Sequence, residues 1–338
     1  MCFNSYPQVT ILRIINASAP SKIILVGEHF VVEGEPAIAA AINLRAKVKL
    51  EPRTDEFIKL YSTNTHYSMK LSIDNFEILD GSIDAIKFLE PIRALIIEIA
   101  KNYSLDKGFN LIINSQIPIA VGLGSSASIL VACSASILKF LLGEVNKDLI
   151  IKFASKAEEV AHARPSGIDP TITTYGGILI YRRIEGFLRL NVPKPFKIII
   201  GVSSLTRSTG EMVKKVRNLK NKYPEIFDPL YHAAGHLAIE AARAIEKGDL
   251  NILGELMNIN HGLLSSIGVS NLELERLVYA ARSAGALGAK ITGAGGGGSI
   301  IALPSEDNVL QIAKAIEKVG GKAIIANISK RGVIIGEK

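Results

Sequence analysis

Cysteine and tryptophan are nearly or wholly missing from this 338-residue chain, which has two cysteines and no tryptophan. Cys2 lies at the extreme terminus and Cys133 in an apolar stretch. Neither a disulfide framework nor a thiolate metal site can be built from them, and a reducing cytoplasm is the expected setting. Glutamine is confined to Gln8, Gln116 and Gln311 while isoleucine is abundant, a balance that leans toward a thermophilic source. The formal charge is +7, which suits an anionic substrate. The basic residues are scattered, however, with no long basic block and no aromatic-interleaved stripe, so nucleic acid is not an expected partner. Residues 1–20 lack a basic start, a continuous apolar core and a small-residue cleavage site, so no signal peptide is expected. No H-E-x-x-H arrangement is present to suggest zinc, and no internal repeat or low-complexity tract appears.

Hydrophobic residues at 48% and charged residues at 21% describe an ordinary globular chain, long enough for two domains. Its most informative stretch is Pro118 to Ala127, P-I-A-V-G-L-G-S-S-A. Gly122, Leu123 and Gly124 form a turn that lets backbone approach an anion, and Ser125, Ser126 and Ala127 open a helix whose free N–H groups and dipole point at it. A magnesium nucleotide is the first ligand to consider. No Lys-Ser or Lys-Thr follows the last glycine, which excludes a Walker A loop. The apolar run from Ala127 to Leu142 falls short of a membrane span and contains Lys139, so it reads as a core helix and no membrane partner is expected. A competing reading is the dinucleotide fingerprint G-x-G-x-x-A at Gly122, Gly124 and Ala127, preceded by a strand at 109–115 and followed by Glu144. That reading makes the chain an oxidoreductase, but leaves the paired serines unexplained.

Alternation and turn signals predict strands at 21–26, 46–51, 57–62 and 67–73, a glycine turn at 33–36, a helix at 82–103 and a strand at 109–115. The early strands read as antiparallel. Helices follow at 125–142 and 147–163 and a strand at 177–182, before a polar, proline-containing stretch at 183–195 where the domain boundary is drawn. Beyond it come a strand at 196–203, four helical segments between 209 and 286, and then strand, helix and strand. This order reads as α+β, with domains at 1–185 and 186–338.

Three further clusters carry chemistry. In A-P-S-K, Lys22 enters an apolar strand, where a charge needs a partner unless it only guards a sheet edge. Gly27-Glu28-His29 follows at a loop position suited to ligand contact. In E-E-V-A-H-A-R-P-S-G-I-D, Glu158 and His162 share a helix face, and Pro165 and Gly167 are expected to end that helix and leave Asp169 on a loop. A carboxylate so placed suits a general base for a hydroxyl, and a second suits magnesium, against the plainer alternatives of an Asx-turn and a solvated helix face. The third cluster, Lys290 to Ser299, has five glycines in six positions and reads as a ligand-facing turn.

Taken in order, these clusters resemble the signature motifs of the superfamily of galactokinase, homoserine kinase, mevalonate kinase and phosphomevalonate kinase (GHMP kinases). Within it the chain looks most like the mevalonate kinase family. A-P-S-K-I-I-L-V-G-E-H-F-V-V, P-S-G-I-D with Tyr175-Gly176-Gly177, Asn260-His261 with Ile267-Gly-Val-Ser270, and G-A-K-I-T-G-A-G-G-G-G are each similar to that family's segments. The resemblance implies an N-terminal domain like domain 2 of ribosomal protein S5, a ferredoxin-like C-terminal domain, and an active site between them. It implies ATP-dependent phosphorylation of the 5-hydroxyl of mevalonate, with Mg2+ as cofactor, mevalonate and ATP as partners, and a homodimer compatible with it. A kinase for phosphomevalonate or another small hydroxy acid shares the same machinery. Carried over by position, Asp169 accepts the hydroxyl proton and Lys22 stabilises the alkoxide. Ser126 and Glu158 bind magnesium, and the backbone of Gly122 to Ala127 holds the triphosphate. Glu28, His29 and Thr209 lie near the acceptor, and the turn around Gly295 closes on the reacting centre. Five positions depart from the usual pattern: Ser21 and Ala120 stand for glycine, Ala163-Arg164 for Gly-Asn, and Ser299 for cysteine.

Overall fold

The computed structural model describes residues 13–71, 76–80, 83–105, 107–161, 167–205 and 209–337. Two sheets organise them. The first is built on a long hairpin, β1 (Ile15–Val26) and β2 (Ala37–Pro52), joined by a short 3-10 turn at Phe30–Glu33. The sequence of β2 opens A-I-A-A-A-I because both faces are buried there. Ile38, Ala40 and Ile42 enter the main core, while Ala37, Ala39 and Ala41 meet Ile168, Ile172 and Tyr181 on the other side. Alternation of side chains across a strand turns one small-residue run into two packing surfaces.

Across β2 the sheet continues through β3 (Ile58–Ser62), β4 (Ser68–Leu71), β5 (Phe76–Asp80) and β6 (Phe109–Ser115), in the order β1-β2-β6-β3-β4-β5. The early strands pair antiparallel as expected, β1 with β2 and β3 with β4, while β3 and the later β6 run parallel. The helix α1 (Ile83–Ala100) crosses between β5 and β6, and α2 (Ser125–Leu142) follows the glycine loop. By length and composition α2 could cross a membrane. Residues 127–138 are nevertheless all buried inside the protein, the signature of a central helix that is apolar all round. Next come α3 (Lys147–Ala161), α4 (Ile168–Tyr175), and the hairpin β7 (Ile178–Arg182) and β8 (Gly186–Arg189), with β7 antiparallel to β2. Because α2 leads to further helices and the next strand runs antiparallel to its neighbour, no βαβ unit forms around Gly122. The dinucleotide reading is thereby set aside.

The second sheet contains β9 (Lys197–Val202), β10 (Gly288–Thr292), β11 (Ser299–Leu303) and β12 (Lys322–Asn327), all antiparallel in the order β10-β11-β9-β12. Four helices fill the first crossover: α5 (Thr209–Lys222), α6 (Pro224–Lys247), α7 (Leu250–Ser266) and α8 (Leu272–Ser283). One, α9 (Val309–Lys318), fills the second. Two antiparallel halves interleaved in this way make the ferredoxin-like arrangement. The last strand, β13 (Ile334–Glu337), returns to pair with β1. A division drawn by strand pairing therefore falls after Arg189 and leaves 334–337 with the first sheet, and we propose that refinement of the 1–185 and 186–338 boundaries.

Candidate active site

The loop before α2 is shaped for an anion. Gly124 caps the helix in the left-handed conformation (φ 70°) with no side-chain hydrogen bond to the first turn. The opening N–H groups of Ser125, Ser126 and Ala127 are thus left to a ligand at the positive end of the dipole. Strand β1 holds this loop: Lys22 N donates to Leu123 O at 3.2 Å and Ser21 Oγ to the same oxygen at 2.7 Å. Ser128 Oγ, within α2, donates to Pro20 O at 2.8 Å. A Cβ on Gly124 would stand 2.7 Å from Lys22 Cγ, so the lysine stem lies directly over the loop. Ala120, which stands for a family glycine, keeps the positive φ of 60° that a glycine would adopt freely.

Beneath the loop the charged groups converge. Lys22 Nζ is 3.0 Å from Asp169 Oδ1, with the side chains 8% and 25% exposed. Asp169 is not on a loop as expected. Gly167 adopts φ 82° and caps a new helix, α4, placing Asp169 in its first turn, where the dipole favours a carboxylate. Glu158, on α3, is buried rather than solvated. Burial first, and then the charge of Asp169, push its carboxyl up to about 8 against the opposing pull of Lys22. With both carboxyls ionised, two negative charges would share one ammonium, a repulsion that a bound cation would relieve. Among the described residues no three His, Cys, Asp or Glu side chains gather to hold a metal. The donor set, one buried carboxylate with serine hydroxyls and backbone at the α2 loop, fits a hard divalent ion that takes its other oxygens from phosphates and water. His162, Pro165, Ala163 and Arg164 lie outside the described residues.

The glycine turn after β10 closes the site from the second sheet. A Cβ on Gly293 would come 3.3 Å from Gly122 Cα, and one on Gly122 3.3 Å from Thr292 O, so the two glycine loops meet backbone to backbone. Thr292 Oγ1 accepts from Ile24 N at 3.1 Å and lies 3.2 Å from Ile24 O, and Ser299 Oγ donates to Val121 O at 2.8 Å. Gly295 is packed against the Val269 carbonyl, with no room for a side chain. His29, itself at φ 63°, places Nε2 2.9 Å from Ala294 O, and burial pushes its pKa down, so the neutral ring donates there.

Glu28 is buried too. One of its oxygens pairs with the ammonium of Lys290, which is fully enclosed in β10, and the other, Oε2, has no partner. Burial pushes the Glu28 carboxyl up and Lys290 draws it back. Gly27 N donates to Asn260 Oδ1 at 2.9 Å. Thr209 is exposed at the start of α5, a helix that reaches the glycine turn through Met212 against Gly296. Among the described residues no hydrogen bond or ion pair ties Thr209 to Lys22 or Asp169. Sequence reasoning assigned no role to Lys290, although a lysine inside the apolar G-A-K-I-T is the same signal that marked Lys22.

Residues 90–177 match the GHMP kinases N terminal domain and residues 241–322 match GHMP kinases C terminal. A mevalonate kinase of Pyrococcus abyssi is 40% identical over 334 residues, covering 96% of this chain and 98% of its own. The crystal structure of L. major mevalonate kinase in complex with R-mevalonate is similar with a TM-score of 0.79 at 29% identity, covering 92% of this chain and 94% of that one. That of the Methanococcus jannaschii mevalonate kinase is similar with a TM-score of 0.78 at 28% identity, covering 95% and 99%.

Proposed function

This chain belongs to the mevalonate kinases of the GHMP kinase family, and from that premise we propose how its own residues transfer the γ-phosphoryl of ATP to the 5-hydroxyl of mevalonate. The observation that carries the proposal is the Lys22–Asp169 pair, 3.0 Å apart beside the uncapped start of α2. Asp169 takes the proton from the attacking hydroxyl, and Lys22 stabilises the oxygen as its charge develops. That oxygen bonds to the γ-phosphorus as the bond to the bridging oxygen breaks, leaving 5-phosphomevalonate and ADP. Phosphoryl transfer asks the protein mainly for positioning and for cations around a loose transition state.

The backbone from Gly122 to Ala127 holds the triphosphate, and the turn at Gly295 covers it. His29, Thr209 and the unpartnered oxygen of Glu28 face the acceptor. The family's nucleotide chemistry calls for a divalent cation, and we assign Mg2+ to Glu158 and the Ser126 hydroxyl because all the donors are hard oxygens; when bound it neutralises phosphate charge. A cytoplasmic setting is proposed on the free, buried thiol of Cys133, and the homodimer compatible with the resemblance is to be tested by sedimentation.

Incubation with ATP and magnesium beside mevalonate, phosphomevalonate, homoserine or galactose tests the reading. ADP should form with mevalonate. Faster turnover with any of the other three would overturn the acceptor assignment.

A further inference from the structure

Away from the site, α6 carries two histidines one turn apart on its exposed face. His232 and His236 turn their Nε2 atoms toward each other at 3.1 Å, with ring centroids 4.6 Å apart and planes at 88°. Without a metal this contact is a hydrogen bond in which one neutral ring donates and the other accepts, and it keeps the two nitrogens within the span of a single chelated ion. Imidazole–metal bonds of about 2.05 Å from two nitrogens 3.1 Å apart subtend an angle of about 100° at the ion. That angle lies between the ~90° of square-planar or octahedral coordination and the ~109° of a tetrahedron, so the pair can chelate once the donating ring moves its proton to Nδ1 and the rings turn toward the ion, with no change in the separation of the two nitrogens.

We propose that His232 and His236 form a transition-metal site on α6, selective for ions that favour imidazole, such as Zn2+, Ni2+ and Cu2+. The helix is a rigid platform for it. Tyr231, Ala234, Leu237 and Ala238 are buried on its inner face, Tyr231 packs edge-on against Phe30 at 5.0 Å, and the Glu35 carboxylate rests on Gly235. One turn to either side, Asp228 lies 3.7 Å from Lys220 and Glu240 2.5 Å from Arg243, so both carboxylates are engaged elsewhere. No third His, Cys, Asp or Glu side chain joins the pair among the described residues, and water completes the coordination. Mg2+, which prefers oxygen and dehydrates reluctantly, is excluded by the ligand chemistry. The site therefore differs in metal as well as place from the oxygen-ligated cation beside Glu158.

The test uses the full chain without an affinity tag, stripped with chelator and titrated with Zn2+, Ni2+, Cu2+ and Mg2+ by calorimetry and by thermal unfolding. One equivalent of each imidazole-favouring ion should bind and raise Tm by mass action, with Mg2+ producing no heat in the absence of nucleotide. Bound Cu2+ should show the electron-spin signature of nitrogen ligation. His232→Ala and His236→Ala should each weaken Zn2+ binding at least tenfold and remove the Tm rise, while magnesium-supported turnover stays at the wild-type value. Both side chains are exposed, so the variants should fold, and circular dichroism checks it. Wild-type Zn2+ affinity in either variant, or no binding to the unaltered chain, would overturn the site.

Discussion

Glu158→Gln should remove a pH-dependent instability from the metal-free protein. The Glu158 carboxyl titrates at about 8 in the folded chain, chiefly through burial and secondly through Asp169, whereas an unfolded glutamate titrates near ~4.3. Between those values the folded state holds a proton that the unfolded chain has released. Stability contributed by this group is fully present below ~4.3 and falls by about 1.4 kcal/mol per pH unit until the folded pKa is passed. Raising the pH from 5.5 to 7.5 should thus cost the wild type about 3 kcal/mol that the glutamine variant, which cannot ionise, retains. At a melting entropy of roughly 2 cal/mol/K per residue, that difference is about 4 °C in Tm for a chain of this length.

The assay is thermal unfolding of both proteins across that pH range in chelator, read as the difference between them so that other titrating groups cancel. Repeating it with ATP and Mg2+ supplies the second half. A cation on Glu158 stabilises the carboxylate, so the wild-type penalty should shrink, and between pH 7 and 6 the apparent magnesium affinity should fall about tenfold as the proton competes. In Glu158→Gln the magnesium requirement should rise and lose that pH dependence. Parallel Tm curves for the two proteins would refute the buried-carboxylate reading, and an unchanged magnesium titration would remove Glu158 from the metal.

Three other sets of substitutions test the remaining parts. Asp169→Asn should keep ATP and mevalonate binding while turnover falls roughly 10²-fold or more, and because Lys22 is proposed to act on the same hydroxyl, Lys22→Met with Asp169→Asn should lose less than the product of the single effects; steady-state kinetics and calorimetry decide it. Lys290→Met leaves Glu28 buried without its cation and should cost about 3–5 kcal/mol in denaturant unfolding, most of it recovered by adding Glu28→Gln, and a loss below about 1 kcal/mol would mean the pair is not buried as described. Ala120→Gly releases a left-handed alanine at the expense of a freer unfolded chain, so unfolding free energy should rise by about 0.5 kcal/mol, and a loss of more than that would show the alanine side chain to be packed to advantage.

Where local chemistry decides an element, the sequence was sufficient. The strand at 109–115 and the helix at 125–142 were placed to the residue, because Gly124 and Gly143 punctuate an all-round apolar run whose only charge, Lys139, sits in the last turn. Where partners come from far along the chain, it was not. β1 begins at Ile15 rather than Ser21 because its first four residues are paired by β13, more than 300 residues away. The alanines of β2 give no period to read, since both faces are buried, and β8 reads as linker because it is only four residues long and leaves Leu188 and Arg189 exposed. Asp169 was misplaced for a more local reason. A Pro-Ser-Gly sequence ends one helix and a left-handed glycine can equally start the next, so spacing alone could not assign the carboxylate to a loop or to a first turn.

The misplacement of Asp169 bears on how the site is assembled. From a loop, a carboxylate would be held by its own turn; from the first turn of α4 it is aimed by a helix whose inner residues, Ile168 and Ile172, pack on the alanine face of β2. Lys22 is fixed from the opposite direction, by backbone pairing with Ala41 of the same strand and by Leu123 of the phosphate loop. The proposed base and its lysine partner are therefore referenced to the single strand β2, which explains how a 3.0 Å pair can be kept between groups 147 positions apart in sequence. The glycine turn is referenced to that frame as well, since Thr292 bonds to Ile24 of β1 and Gly293 rests on Gly122. A Cβ at either glycine would meet the facing backbone at 3.3 Å, so the two loops would have to part by a few tenths of an ångström, and the positive φ of both residues (83° and 82°) would be strained. Substitution at Gly122 or Gly293 should therefore lower turnover by straining and shifting the two loops even when Lys22, Glu158 and Asp169 are intact.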